Sequence, residues 1–201
     1  KVLDIGSATG TLSFYLASKG LIVDGVELSK NAYKYSNLNR RKLHVKNINF
    51  SNTSIESYRT NKKYNLITCF EVLEHLEDDL LVLNKISKMM KPRATLAISV
   101  PSKNAPLYRL GVLNNFDKRV GHLRRYSLSE IKQKTTKAGF KVIMDFKYEG
   151  ILRNLLFTNN FLGLTIKLTK LNTVNYLVTK LDNVFLKLFG ESQIILICRK
   201  K

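Results

Sequence analysis

The sequence predicts an α/β fold: a doubly wound sheet of seven strands, with a helical insertion before the last strand. Three observations carry that expectation. Short apolar runs alternate with helical patterns through the first hundred residues, the order that puts helices on both faces of a parallel sheet. A turn of small residues, Gly6-Ser7-Ala8-Thr9-Gly10, joins the first run to the first helix. The 201 residues, 44% hydrophobic and 24% charged, suit one soluble domain spanning 1–201 with a core of its own.

Lys1–Ile5 reads as a strand and Thr11–Lys19 as a helix closed by Gly20, a residue that tolerates the left-handed conformation there. Leu21–Val26 is the second strand, and Ser29 is placed to cap a polar helix reaching about Arg41. Asn47–Ser51 and Tyr64–Phe70 are the third and fourth strands. Leu76, Leu80, Leu83, Ile86 and Met90 recur at spacings of three and four, giving a helix that Lys91-Pro92 stops. Thr95–Val100 is the fifth strand. Residues 101–126 carry clustered basic residues with little periodicity and read as a loop or cap. Ser127-Leu128-Ser129-Glu130 is a capping-box pattern opening a helix to Gly139. Phe140–Phe146 and Gln193–Cys198 complete the sheet. The chain opens inside a strand without an initiator Met, so an N-terminal piece is expected to precede it.

Composition excludes several classes. Two cysteines, Cys69 and Cys198, cannot build a disulfide framework or a four-cysteine zinc site, and both lie in apolar runs, as reduced core cysteines of a cytoplasmic protein would. No uncharged apolar run reaches the roughly 18 residues that span a bilayer. The charge of +19 would attract phosphates on nucleic acid or on anionic lipid. With 24 Lys against 10 Arg and 18 Asn, it equally fits codon bias and names no partner.

Ligands of such sheets sit outside the carboxyl ends of the strands. There Asp4-Ile5-Gly6-Ser7-Ala8-Thr9-Gly10 lets the backbone approach a ligand at a helix N-terminus. Its small residues fall at 6, 8 and 10, which is the wrong spacing for a dinucleotide pyrophosphate. This motif resembles the first motif of the class I S-adenosylmethionine-dependent methyltransferases, whose acidic and glycine-like positions Asp4, Gly6, Ala8 and Gly10 match, with Ala8 in place of a frequent Gly. The segment Phe70-Glu71-Val72-Leu73-Glu74-His75-Leu76, His122-Leu123-Arg124-Arg125-Tyr126-Ser127 and Ala138-Gly139-Phe140 resemble the ubiquinone-biosynthesis-like branch (methyltransferase type 11). Lys91-Pro92-Arg93-Ala94 departs from that branch's Lys-Pro-Gly-Gly. The resemblance implies a Rossmann-like methyltransferase sheet and S-adenosylmethionine as cofactor. Glu27, followed by Leu28, would take the ribose hydroxyls, Ser54 and Ile55 would stand beside the adenine, and Phe70 and Glu71 near the adenosyl or methionine part. A carboxylate suits the ribose because it only accepts hydrogen bonds.

Methyl transfer from a sulfonium needs positioning, and a hydroxyl acceptor also needs a base. Of three histidines, His75 follows the fourth strand at the ligand end and is the first candidate. His122 stands among Arg119, Arg124 and Arg125, whose charges would keep it neutral. His44, ahead of the third strand, reads as structural or surface. Glu71, Glu74 and His75 would share a helical face and, with His122, could hold a divalent cation, as the same pattern does in some relatives by resemblance.

Residues 147–191 form a hydrophobic helical insertion. Val174, Leu177, Val178, Leu181, Phe185 and Leu188 make an apolar stripe with Asp182 beside it. Upstream, Ile151 to Ile166 is densely apolar. The segment is expected to cap the site or to let 151–189 lie on a membrane surface. The acceptor expected is a small hydrophobic or lipid-linked molecule methylated on oxygen. The alternatives are RNA held by Arg40, Arg41, Lys42 and the 118–125 cluster, or a weakly catalytic binding module.

Overall fold

The computed structural model describes residues 1–158 and 172–201. Seven strands form one sheet in the order β3-β2-β1-β4-β5-β7-β6. They are β1 (Val2–Ile5), β2 (Val23–Glu27), β3 (Ile48–Asn52), β4 (Tyr64–Phe70), β5 (Met90–Pro101), β6 (Phe140–Tyr148) and β7 (Gln193–Lys200). The first five are parallel, and β7 runs antiparallel between β5 and β6. The helices are α1 (Thr11–Ser18), α2 (Lys30–Lys42), α3 (Asp79–Met89), α4 (Pro106–Arg109), α5 (Asn114–Val120), α6 (Leu128–Lys137), α7 (Ile151–Thr158) and α8 (Asn172–Phe189). The expected α/β architecture is present.

Strand order reverses between β1 and β4, so a crevice opens beyond their carboxyl ends. β1 and β4 are apolar because both faces are covered. Leu3, Ile67, Leu96, Ile98 and Leu196 are fully buried in the larger core cluster, while Val2, Val23, Ile48 and Phe50 form a smaller one with α1. Both cysteines are reduced and buried. In the middle of β2, buried Asp24 receives Lys62 Nζ at 2.8 Å and Tyr64 Oη at 2.9 Å, which ties the β3–β4 connection to the sheet.

Several boundaries differ from expectation. The helix expected to start near Leu76 starts at Asp79, because Asp78 caps it by accepting the Leu81 N–H at 2.8 Å. The residues ahead of it, Leu73–His75, make a single 3-10 turn instead. Lys91-Pro92 does not separate helix from strand: β5 begins at Met90, and its pairing with β4 slips between Tyr64 and Leu66 as Arg93 adopts φ 59°. The loop expected at 101–126 holds α4 and α5 and is closed by a bridge between Ser102 and Tyr126.

The insertion is a pair of packed helices, α7 and α8. The expected stripe is split, with Val174, Val178 and Phe185 half-buried. Asp182 is the buried residue of α8, at 2% exposure, whereas Leu177, Leu181 and Leu188 are more than half exposed. Asp182 faces inward because its carboxylate accepts the Gly150 and Arg153 N–H groups at 2.8 and 3.0 Å, capping the start of α7. Residues 159–171, which include the expected apolar positions Phe161, Leu162, Leu164 and Ile166, lie outside the described residues. No described helix is long and apolar enough to cross a membrane.

Candidate functional site

The Gly6–Gly10 loop takes left-handed geometry three times. Gly6 has φ 71°, where a side chain would run into Val72, and Gly10 has φ 91°, where a Cβ would meet Phe50 at 2.8 Å and Phe14 at 2.9 Å. Between them Ala8 holds φ 46° despite its methyl group. The Ala8 N–H donates to Glu27 Oε2 at 2.8 Å, and the Ser29 N–H donates to Glu27 Oε1 at 2.7 Å. Two backbone donors thus orient the carboxylate at the end of β2. Each oxygen keeps a lone pair for a ligand.

That carboxylate borders a cavity of about 380 Å³ at the strand-order switch. Its wall includes Gly6, Ala8, Glu27, Leu28, Ser54 and Ile55, and it runs on to Glu71 and His75. Leu28 is 72% exposed and Ile55 is buried, so an apolar residue on each side could hold a flat ring. Three expected cofactor residues lie elsewhere. Asp4 is buried behind the loop, where its carboxylate accepts Ser13 Oγ at 2.6 Å and Thr68 Oγ1 at 2.7 Å. Burial raises its pKa against those bonds. Gly10 packs against aromatic rings, and Phe70 lines a neighbouring cavity of about 280 Å³. Asp4 and Gly10 therefore shape the loop without forming the wall. Glu71 borders both cavities.

Beyond the cofactor-sized cavity, Glu74, His75 and His122 offer ligand atoms within 4.8 Å of one another. Glu71, expected in this set, is not in it. The early helix that would have aligned it is replaced by a 3-10 turn, and Glu71 itself has φ 54°. Its two oxygens accept Ser99 Oγ at 2.6 Å and Gln193 Nε2 at 2.9 Å instead. The His122 Nε2 and His75 Nε2 atoms each stand 3.8 Å from Glu74 Oε1, too far for a hydrogen bond.

The partners of the other ring nitrogens settle the tautomers. His75 Nδ1 lies 3.0 Å from the Gly121 carbonyl, which can only accept. His122 Nδ1 lies 2.9 Å from Asp117 Oδ1. Burial raises the Asp117 pKa, but hydrogen bonds from Arg125 and His122 and their charges outweigh it and leave the group lowered and ionised. Each Nδ1 therefore carries the proton, and each Nε2 turns a lone pair toward Glu74. Burial lowers the His122 pKa against the pull of Asp117, with His75 and Arg125 contributing. The expected direction holds, with burial ahead of the arginine charges. Glu74 is fully buried with neither oxygen hydrogen-bonded, and burial together with the charge of Glu71 pushes its pKa up to about 9. At that pKa Glu74 keeps a proton near neutrality, and a divalent cation that displaced it would meet one carboxylate and two imidazole donors, the kind of set such ions take with ligands about 2.1 Å away. Asp117 and Gly121, which orient the two rings, carry no motif and were not found from sequence.

Two arginines of the 118–125 basic cluster are committed inward, while Lys118 and Arg119 stay exposed. Arg125 donates to Asp117 at 2.6 and 2.7 Å, Arg124 lies 3.3 Å from buried Asp79, and Arg119 stands over the Phe116 ring.

The family described as "Methyltransferase domain" matches residues 1–144. A ubiquinone biosynthesis O-methyltransferase of Thiobacillus denitrificans is 31% identical over 119 residues, covering 56% of this chain and 49% of that protein. The chain thus spans about half the length of such relatives. A phosphoethanolamine N-methyltransferase of Haemonchus contortus, in complex with S-adenosylmethionine, has a similar fold (TM-score 0.71, 17% identity, 99% of this chain and 48% of that one). So does a magnesium protoporphyrin IX methyltransferase of Synechocystis with bound S-adenosylhomocysteine (TM-score 0.67, 16% identity, 100% and 74%).

Proposed function

The chain belongs to the methyltransferase domain family, and from that premise we propose that it transfers a methyl group from S-adenosylmethionine to an oxygen of a small hydrophobic acceptor. The observation that carries the reading is Glu27: a carboxylate held by two backbone donors at the end of β2, beside a left-handed small-residue loop and an apolar-walled cavity. It would accept both ribose hydroxyls while Leu28 and Ile55 enclose the base and Ser54 borders its edge. The methionine end would then extend toward Glu71 and His75, which border the same cavity.

Methyl transfer is an in-line displacement, so the site's first task is to align oxygen, methyl carbon and sulfur. Glu74, His75 and His122 would hold a divalent cation, which when bound supplies Lewis-acid polarisation to a ligand oxygen beside it. Asp117 and the Gly121 carbonyl keep the two imidazoles turned for that role. The inward ion pairs of Arg124 and Arg125 take two of the cations that an RNA backbone would need in the 118–125 cluster, which favours a small-molecule acceptor. The exposed row Leu177, Leu181, Val184 and Leu188 on α8 supports a hydrophobic acceptor.

Calorimetric titration with S-adenosylhomocysteine tests the reading. Glu27→Ala removes charge-assisted hydrogen bonds worth about 3 kcal/mol together, so affinity should fall about a hundredfold. Equal binding by variant and wild type would refute the placement. No binding by the wild-type chain would refute the activity.

A further inference from the structure

The two histidines turn their free lone pairs toward Glu74, which leaves the acceptor's proton without a receiver in that cluster. The second cavity, of about 280 Å³, supplies one. It lies beyond the carboxyl ends of β4 and β5 and beside the β6–α7 junction, shares Glu71 with the cofactor cavity, and has Phe70 and Tyr148 as aromatic walls. Two carboxylates border it, and they differ in kind. Glu71 is fixed by Ser99 and Gln193, one hydrogen bond on each oxygen. Glu149 receives no hydrogen bond on its carboxylate from any described residue.

We propose that Glu149 is the general base of the reaction and that this second cavity receives the acceptor's hydroxyl-bearing ring. The assignment rests on the methyltransferase reading above. Glu149 is held in place by its backbone. It sits at φ 62°, a conformation side chains rarely adopt, while its carbonyl accepts the Ser192 N–H at 2.7 Å and the following Gly150 N–H donates to Asp182 at 2.8 Å. Strained backbone pinned on both sides is a feature that concentrates at functional sites. Gln193, which borders the same cavity, keeps its buried Oε1 without a partner, an acceptor left over for a hydroxyl or N–H of a ligand.

The charged groups facing Glu149 are Asp182, Glu71 and Arg153. Burial, then the charges of Asp182 and Glu71, push its pKa up to about 7 against the pull of Arg153. A carboxylate tuned in this way is a competent base for a phenolic hydroxyl near neutrality. In the step, the hydroxyl proton passes to the Glu149 carboxylate and the oxygen electron pair forms the new bond to the methyl carbon. The carbon–sulfur bond breaks with its pair staying on sulfur, which leaves S-adenosylhomocysteine. The proton then leaves to water through the open side of the cavity. Two carboxylates on one small cavity also select against an acceptor ring carrying its own anion.

The test uses catechol and 3,4-dihydroxybenzoate as probes, labelled S-adenosylmethionine, and magnesium in the buffer. With wild type, kcat for catechol should rise with pH and level off above about 7, and the benzoate should show a KM at least tenfold higher. Glu149→Gln should lower kcat a hundredfold or more and abolish that pH limb, with S-adenosylhomocysteine affinity and the catechol KM within about threefold of wild type. Glu149→Asp should recover part of kcat. A Glu149→Gln enzyme with the wild-type rate and pH limb would overturn the assignment. So would a wild type that binds S-adenosylhomocysteine but turns over neither probe. Absent cofactor binding would instead overturn the activity on which the assignment rests.

Discussion

Glu74 shows how far a single side chain can be read. Its place in Glu71-Val72-Leu73-Glu74-His75 marks it as a candidate ligand, but not that both oxygens would be buried and unpaired, nor that Glu71 would turn away to Ser99 and Gln193. An isolated buried carboxylate is costly unless it is protonated or meets a cation. Glu74→Gln keeps the shape and removes the charge, so calorimetric titration with Zn²⁺ or Mn²⁺ should show affinity reduced at least a hundredfold. Unchanged cation binding would place the ion elsewhere. Glu27 was legible because a carboxylate at the end of the second strand is a local feature. Asp117 and Glu149 were not, since their importance depends on what the fold sets against them.

At the scale of elements, the strands and the capped helices could be read in advance. Tyr64–Phe70 is a strand over its whole expected length, and Ser127 with Glu130 forms the expected capping box. Both depend on residues adjacent in sequence. The orientation of α8 could not be read this way: Val174, Val178 and Phe185 of its apolar stripe are half-buried and Leu177 and Leu181 exposed, because the open N–H groups at the start of α7 draw Asp182 to the inward side. Asp182→Ala leaves those groups uncapped and should destabilise the helix pair by about 1–2 kcal/mol. Hydrogen exchange at α7 amides should accelerate accordingly, with β1 and β4 amides unaffected. Equal protection of α7 in variant and wild type would refute the capping role.

For the whole molecule, charge sets how stability depends on pH. Asp79, Asp117 and Glu191 are each pushed up by burial but held below the ordinary carboxylate range by hydrogen bonds and cations, and Lys103 and Ser127 bring Glu130 to about 2. A carboxyl group lowered in the folded state stabilises the fold above its unfolded pKa, and that stabilisation is lost as pH falls through the folded value. Glu149 and Glu74 have the opposite sign: raised to about 7 and about 9, they make the fold less stable as pH rises from about 4.5 toward those values. Urea midpoints should therefore climb from pH 2 to a maximum in mild acid and decline toward pH 9. Glu149→Gln should make the decline shallower below about pH 7 and leave both the acid limb and the decline above pH 7 unchanged. A variant with the same decline would remove Glu149 as its source.

The sequence by itself determined the strands, the small-residue turn at Gly6–Gly10, the carboxylate at the end of β2 and the histidines near the ligand end. Each rests on local periodicity, turn chemistry or the position of a residue at a strand end, and these act over a few residues. Only the tertiary structure decided that Glu74 joins His75 and His122 while Glu71 turns to Ser99 and Gln193, that Asp182 faces inward, and that Glu149 borders a cavity beside Glu71. Those outcomes depend on contacts across 49 residues (Glu74 to Leu123), 47 (Arg124 to Glu77), 32 (Gly150 to Asp182) and 122 (Glu71 to Gln193). Buried polar groups must find partners wherever the fold brings them, and that search is not written in any local pattern.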